Sequence, residues 1–207
     1  TVFSFHPVKI ITTGEGGMVV THDADLAARM RTMRLHGINR DVFDRYSSTK
    51  PSWHYDVVAP GYKYNLTDTA AAMGRVQLKR AREMADRRAA IAAEFDASLA
   101  DLPVVLPAHA PQGSSHAWHL YVMRLTPDAP VSRDRFIELM AEHEVGTSVH
   151  FIPLHIQPYW RDTYRHTPED FPVATAEFTR AVSLPIFSAM TDDDVTQVVD
   201  AVRSILE

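Results

Sequence analysis

The order of apolar and polar positions predicts alternating strands and helices in the first third of the chain. Residues 1–5 are β-branched or aromatic except for Ser4, which favours a strand, and residues 18–21 form a second strand candidate. The turn-rich stretch between them places Lys9 on the link between two strands. Asp23 then caps a predicted helix that Gly37 stops. The apolar positions of this helix fall near helical spacing, at Leu26, Met30, Met33 and Leu35.

The middle of the chain lacks such alternation. Residues 38–61 show no clear periodicity and end at the turn signal Pro60-Gly61, so we expect a long loop. From residue 67 or 68 to about 99, Ala, Arg, Glu and Leu favour one long helix or two tandem helices with a break near 84–86.

The remainder predicts a small α+β arrangement. Its expected strands and helices are a strand over 118–125, a helix capped by Ser132 and closed near Gly146, a strand over 147–152, and helices over 173–181 and from 191 to the end. We therefore predict two domains, an α/β part over residues 1–86 and an α+β part over 87–207, with the hinge near 84–86. The chain opens on a strand without an initiator Met, which predicts a truncated start.

Composition and charge narrow the functional class. With 45% hydrophobic and 23% charged residues, the chain has the composition of a globular protein, which excludes disordered and fibrous classes. A formal charge of −5 gives no attraction to nucleic acid or anionic membranes. There is no Cys, no apolar run of membrane-spanning length and no signal segment. We expect a cytoplasmic protein whose partners are small molecules or proteins.

A lone lysine is usually a solvated surface charge, but Lys9 lies in a specific motif. Ser4-Phe5-His6-Pro7-Val8-Lys9, followed by Thr12-Thr13-Gly14-Glu15-Gly16-Gly17, resembles the lysine motif of the DegT/StrS family of nucleotide-sugar aminotransferases. The resemblance covers essentially the whole chain in family order. Its further segments are Arg34-Leu35-His36-Gly37, Pro60-Gly61-Tyr62-Lys63-Tyr64-Asn65-Leu66-Thr67-Asp68, His116-Ala117-Trp118-His119-Leu120, residues 150–159 and Ser183-Leu184-Pro185.

The resemblance implies an α/β fold of the type I class of pyridoxal-phosphate-dependent aminotransferases. Residues 1–86 would then be the C-terminal part of the large cofactor-binding domain, and 87–207 the small C-terminal domain. The cofactor, pyridoxal 5'-phosphate, would lie at a homodimer interface. Lys9 would bind it covalently as an internal aldimine. A lysine amine is protonated and unreactive in water, so desolvation and the cofactor's electronics must favour its neutral or imine form.

The resemblance also implies roles for four other residues. Ser4 would donate to the cofactor phosphate, and Lys63 would reach the phosphate of the partner subunit, with Asn65 beside it. Many family members have Asn and Arg where this chain has Lys63 and Asn65, but an ammonium group can still serve a phosphate as a point charge. His150 would face the sugar nucleotide, although a partly buried, hydrogen-bonded structural histidine is an equal alternative.

The expected reaction is transfer of an amino group from glutamate to C4, or less favourably C3, of a nucleotide-linked keto sugar, with a 2-oxo acid as co-product. The freed Lys9 amine would act as general base and acid. The form of residues 61–68 looks most like the aminotransferases of UDP-4-ketopentose, which make 4-amino-4-deoxy-L-arabinose. Such chemistry belongs to amino-sugar, lipopolysaccharide and other cell-surface polysaccharide biosynthesis.

Other interpretations stay open. The 207 residues alone are expected to be inactive, so the chain could act only as a folding or dimerisation module. A metal hydrolase built on His116, His119, His150 and His155 is disfavoured, because residues three apart on a strand point to opposite faces and neither pair includes a carboxylate. Sugar dehydratases of the same family carry histidine in place of this lysine, so Lys9 argues against that subclass. The glycine turn after Lys9 lacks the lysine of a phosphate-binding loop and predicts a tight turn.

Overall fold

The computed structural model describes residues 1–39 and 55–207. The chain divides into two compact units, Thr1–Ala81 and Arg82–Glu207. The domain division between residues 86 and 87 stays a prediction. Among the described residues, no helix combines the length and the apolarity needed to cross a bilayer.

The first unit opens with an antiparallel hairpin. Strand β1 (Val2–Ser4) pairs with β2 (Gly17–Val19), and Ser4 lies opposite Gly17 at the loop end. The twelve-residue link between the strands carries Lys9, as the turn signals predicted. Strand β2 begins one residue before the predicted one and ends before Val20, whose backbone still pairs with Thr1.

Helix α1 (Ala24–Met33) follows the hairpin. The predicted cap is confirmed, because the Asp23 carboxylate accepts a hydrogen bond of 2.9 Å from the amide of Leu26. The predicted extension of the helix through Leu35 is wrong, since Leu35 instead forms a β-bridge with Lys63.

Two glycines allow close contact of the chain after α1 with the segment before Lys63. Gly37 has φ = +71°, and a Cβ atom there would lie 1.8 Å from the carbonyl oxygen of Ala59. A Cβ atom on Gly61 would lie 2.0 Å from the amide nitrogen of Gly37. Any larger residue at either position would push the two segments apart. Part of the predicted 38–61 loop, residues 40–54, lies outside the described residues.

Helix α2 runs without interruption from Asp68 to Leu99, so of the two predicted alternatives the single long helix forms. At about 1.5 Å per residue it is roughly 48 Å long. All its buried side chains lie beyond residue 81 and recur at three- and four-residue intervals, at Met84, Arg88, Ile91, Ala92, Phe95 and Leu99.

The second unit contains a three-stranded antiparallel sheet in the order β3-β4-β5. The strands are β3 (Val104–Val105), β4 (Tyr121–Leu125) and β5 (Ala181–Leu184). Tyr121 lies opposite Leu184, and Val104 opposite Leu125. The predicted strand over 118–125 begins three residues late, because Trp118 has a left-handed φ of +48° that a strand cannot accommodate.

Four further α-helices complete this unit: α3 (Arg133–Glu142), α4 (Pro158–Tyr164), α5 (Pro172–Arg180) and α6 (Asp192–Leu206). Two short 3₁₀ turns, Leu154–Ile156 and Pro168–Asp170, lie beside α4 and α5 in sequence. The Ser132 cap is confirmed. The helix was predicted to close near Gly146 but ends at Glu142, and Glu144 after it has a left-handed φ of +61°. The predicted strand over 147–152 is reduced to one bridge between Ser148 and Ser183.

The core of the second unit is aromatic and aliphatic, and its largest fully buried side chains are Phe95, Tyr121, Phe136 and Met140. Several buried polar groups in it are hydrogen-bonded. The guanidinium of Arg88 donates to the carbonyl oxygens of Trp118 and Ile186 at 2.9 and 2.8 Å. The Tyr121 hydroxyl donates to Asp96 at 2.7 Å. The pKa of Tyr121 is raised, mainly by burial of its hydroxyl and to a lesser extent by the Asp96 carboxylate. These bonds tie α2 to the strands and to the loop after β5.

Candidate active site

Backbone hydrogen bonds fix the loop that carries Lys9. The hairpin continues past its last strand residue, because the Phe5 amide donates to Gly16 O at 2.9 Å and the Thr13 amide to Phe5 O at 3.1 Å. Within the loop the Lys9 amide donates to His6 O at 2.9 Å, which closes a tight turn. The Lys9 side chain is half-buried. Its backbone is therefore held on both sides, and its amine is carried on a defined turn.

Two threonine hydroxyls brace the same loop. Thr12 Oγ1 donates to Phe5 O at 3.0 Å and accepts from the Gly14 amide at 2.9 Å. Thr13 is buried, and its hydroxyl donates to Glu15 O at 2.8 Å. Both hydroxyls are used inside the loop, which agrees with the tight turn predicted there. The local signal for this role is threonine directly before glycine, a common turn combination.

Close packing brings a second segment against the lysine loop. A Cβ atom at Gly16 would lie 2.5 Å from Thr13 Oγ1 and 2.9 Å from the side chain of Leu66. A Cβ atom at Gly74 of α2 would lie 2.8 Å from the Thr13 methyl group. The chain just after Asn65 and the start of α2 thus both lie beside the lysine loop.

Lys63 and Asn65 lie on this second segment. It runs antiparallel to the residues after α1, with the Tyr64 amide donating to Arg34 O at 2.8 Å. Tyr62 and Tyr64, on either side of Lys63, stack with ring centroids 4.9 Å apart and planes inclined by 8°. Lys63 is exposed and Asn65 is half-buried. The ammonium group of Lys63 is therefore accessible from solvent.

Ser4 ends β1 at the loop side of the hairpin and is exposed. Its oxygen accepts a long hydrogen bond of 3.4 Å from the His6 amide, so the hydroxyl hydrogen remains available to an acceptor. The His6 ring accepts from the Val8 amide at 3.4 Å, and its other nitrogen lies 3.8 Å from a Glu15 carboxylate oxygen. The loop thus offers one hydroxyl donor and one amine within six residues.

His150 belongs to the second unit, whereas Ser4, Lys9, Lys63 and Asn65 belong to the first. His150 is exposed, and its Nδ1 atom lies 2.8 Å from the hydroxyl of the buried Ser183. Sequence reasoning missed this contact. The partners are 33 residues apart and no local pattern joins them.

The histidines do not cluster as metal ligands in the part of the chain that the structure describes, where no group of three or more His, Cys, Asp or Glu could hold an ion. His116 accepts from the Trp118 amide at 2.9 Å, and His155 pairs with Thr175 at 3.0 Å. The argument from strand geometry was wrong for His116 and His119, because both precede β4. The separate partners of His116 and His155 give each of these two residues a structural role.

The comparison with known families agrees with the motif. The model of the DegT/DnrJ/EryC1/StrS aminotransferase family matches residues 1–203. The chain belongs to this family. Its curated relatives include the uncharacterised protein MJ1066 of Methanocaldococcus jannaschii, 45% identical over 207 residues, and the spore coat polysaccharide biosynthesis protein SpsC of Bacillus subtilis, 43% identical over 209. All of the chain matches, against 53% and 54% of those relatives, so it spans about half their length.

Solved structures of sugar aminotransferases have the same fold. The putative sugar aminotransferase Spr1654 of Streptococcus pneumoniae, in its PMP form, superposes with a TM-score of 0.87 at 29% identity, over 99% of this chain and 52% of that one. PseC of Helicobacter pylori, an aminotransferase of pseudoaminic acid biosynthesis, superposes with a TM-score of 0.85 at 25% identity, over 99% of this chain and 52% of that one. The α/β type I aminotransferase fold expected from the sequence is confirmed. Spr1654 is also known in a PLP form, and pyridoxal phosphate is the cofactor that the family implies here.

Proposed function

We propose that this chain is part of a pyridoxal-phosphate-dependent aminotransferase in which Lys9 binds the cofactor covalently. One observation carries the proposal: Lys9 lies on a hydrogen-bonded turn at the end of the β1–β2 hairpin, in a chain that the aminotransferase family model matches almost throughout. A lysine held by its backbone on a braced loop can present its amine repeatedly in one geometry, as catalysis requires.

The donor groups of the first unit fit such a cofactor. A phosphate needs hydrogen-bond donors and positive charge, and the hydroxyl hydrogen of Ser4 and the exposed ammonium of Lys63 supply both. We propose that Ser4 contacts the phosphate within its own subunit and that Lys63 and Asn65 contact that of the partner in a homodimer. Residues 1–86 would then complete the large domain and 87–207 form the small one.

When bound, pyridoxal phosphate supplies an electron sink for the carbanion formed at the substrate carbon. The protein's own task is to move the proton. Lys9 Nζ, released when an amino donor takes its place, would remove that proton and return it one position away. The threonine braces of the loop keep the amine close to its working position during both transfers.

For the substrate we propose a nucleotide-linked keto sugar, aminated at C4 with glutamate as donor. The names of two similar proteins support the class, since SpsC is a spore coat polysaccharide biosynthesis protein and PseC an aminotransferase of pseudoaminic acid biosynthesis. Lys63 and Asn65, within the segment Gly61 to Asp68, favour the UDP-4-ketopentose subtype and a role in lipopolysaccharide modification. The cytoplasmic location stays a prediction.

Borohydride reduction of the full-length protein tests the covalent role. The cofactor should become fixed to one peptide, and mass spectrometry should locate it on Lys9. Lys9→Ala should abolish the label, whereas Lys79→Ala, a substitution at an exposed lysine of α2, should leave it unchanged. Labelling of another lysine in the unaltered protein would disprove the assignment.

The 207 residues by themselves are proposed to have no aminotransferase activity, which leaves a folding or dimerisation module as the alternative for this span. The test is to purify the span, add pyridoxal phosphate, and assay transfer from glutamate to UDP-4-ketopentose beside the full-length protein. Turnover within about tenfold of full length would contradict this proposal.

A further inference from the structure

We infer that Ser183 is a positioning residue that fixes His150 as its Nε2–H tautomer, so that His150 donates a hydrogen bond to an oxygen atom of the nucleotide sugar. The inference rests on the proposed substrate-side role of His150. It names the chemistry of that contact, a neutral donor meeting an acceptor oxygen, and it adds a residue that lies behind the histidine.

The two side chains differ sharply in exposure. Ser183 lies in β5 and is only 3% exposed, whereas His150 is exposed. Backbone hydrogen bonds of 2.7 and 3.1 Å between Ser183 and Ser148 hold the chain two residues before the histidine against the strand. The serine hydroxyl is thus carried by a backbone that is held in place. The imidazole is anchored at Nδ1, while its other edge faces solvent.

The hydroxyl hydrogen decides the tautomer. Within the described residues His150 Nδ1 is the one hydrogen-bond partner of the Ser183 side chain, at 2.8 Å. A buried hydroxyl whose hydrogen finds no acceptor is costly. Ser183 therefore donates to Nδ1, which must be unprotonated to accept. In neutral imidazole the proton then resides on Nε2, where it forms a donor.

This arrangement selects the ligand group. An Nε2–H directed to solvent matches hydroxyl, carbonyl and phosphate oxygens, all of which a nucleotide-linked keto sugar carries, and it does not match an ammonium group. Because His150 is proposed to face the sugar nucleotide, the inference concerns the sugar half of the reaction. Reaction with the amino donor should not depend on Ser183.

The first measurement is spectroscopic and needs no substrate. Long-range ¹H–¹⁵N spectra of the full-length protein, labelled at histidine and assigned with His150→Gln, should show one Nε2–H tautomer for His150. Ser183→Ala should populate both tautomers, and Ser183→Thr, which restores the hydroxyl, should return the spectrum to one. The Nδ1–H form in the unaltered protein, or an unchanged spectrum in Ser183→Ala, would overturn the inference.

The second measurement is kinetic. Ser183→Ala should raise KM for the UDP-linked keto sugar about three- to tenfold, as expected for weakening one hydrogen bond, while the half-reaction with glutamate changes less than about twofold. Ser183→Thr should recover most of the loss, and Ser148→Ala is the control for the neighbouring backbone pair. Equal losses in both half-reactions would mean a merely structural role and overturn the inference. An inactive protein with the expected tautomers would refute the proposed function alone.

Discussion

The two compact units differ in what holds them together. In Arg82–Glu207 a continuous core buries large side chains, and Ile91, Phe95 and Tyr121 are at most 1% exposed. Among the described residues of Thr1–Ala81, no hydrophobic side chain is fully buried; Val2 is 77% exposed and Tyr64 73%. The unit that carries Lys9 is organised mainly by backbone hydrogen bonds, threonine hydroxyls and glycine contacts. The other is organised by packing.

Because of this difference, substitutions in the two units should have different effects on the stability of the fold. An exposed or half-buried residue of the lysine loop, such as Lys9, can be changed without opening a cavity. Truncating a core residue of the second unit does open a cavity, because close-packed neighbours relax only partly around a void.

The largest effect is expected at Lys9. Lys9→Ala in the full-length enzyme should lower turnover by at least about 10²–10⁴-fold, the contribution of a positioned general acid and base, with little change in the unfolding midpoint. Steady-state assays and thermal unfolding measure the two quantities. Lys79→Ala is the matched control and should alter neither. A large loss of stability in Lys9→Ala would show that the lysine loop depends on packing after all.

The opposite behaviour is expected in the core. Phe95→Ala should reduce the free energy of unfolding by about 3–5 kcal/mol, since the ring is fully buried and packs edge-on against Tyr121 at 5.1 Å. Phe187→Ala, at a position 47% exposed in the same unit, should cost less than about 1 kcal/mol. Urea unfolding followed by tryptophan fluorescence compares the two. Similar losses for both variants would contradict the core assignment.

A smaller effect is expected at Lys63, whose proposed task is electrostatic. Lys63→Ala should weaken cofactor retention by about two- to tenfold, the range for one hydrogen bond or charge contact. The difference from the unaltered protein should shrink with added salt, which screens the contribution of the Lys63 charge itself. Dialysis of the holoenzyme at several salt concentrations, followed by absorbance, measures retention, with Lys79→Ala as control. Cofactor affinity unchanged at every salt concentration would remove Lys63 from the site.

Local signals in the sequence were sufficient for much of this arrangement. The position of Lys9 between two strands follows from turn residues on a short stretch of chain, and the Asp23 and Ser132 caps follow from single side chains placed before helices. These features depend on neighbours within a few positions. They are set by backbone geometry and by hydrogen bonds that do not require the rest of the fold.

Contacts between distant segments gave no such signal. Strands β3 and β5 are two and four residues long, too short for a readable period. The left-handed conformation of Trp118, which delays β4, is imposed by its buried surroundings and not by the preference of tryptophan. The Ser183–His150 contact joins residues that only the folded second unit brings together. Motif resemblance therefore supplied the candidate residues, and the structure supplied how they are held.

The smallest expected effect concerns a surface ion pair of the packed unit. Arg203 donates to both carboxylate oxygens of Asp101 at 2.8 and 2.9 Å and to Ser98 O at 2.7 Å, which joins the end of α6 to the end of α2. These hydrogen bonds lower the pKa of Asp101 to about 2, against about 3.9 in an unfolded chain. Because the folded value is the lower one, the contribution to stability is present above about pH 4 and is lost as the pH falls towards 2.

Asp101→Asn should therefore be slightly less stable than the unaltered protein at neutral pH, and the difference should disappear as the pH falls from about 4 to about 2. The Asp101 side chain is 67% exposed and that of Arg203 31%, so the difference should also shrink with added salt. Asp128→Asn, at an exposed aspartate of the same unit, is the control and should show no such dependence. Urea unfolding midpoints at closely spaced pH values measure the effect. A stability difference that stayed constant down to pH 2 would mean that Asp101 acts through helix-end geometry and not through its charge, and the packed unit would then need no ion pair to join α2 to α6.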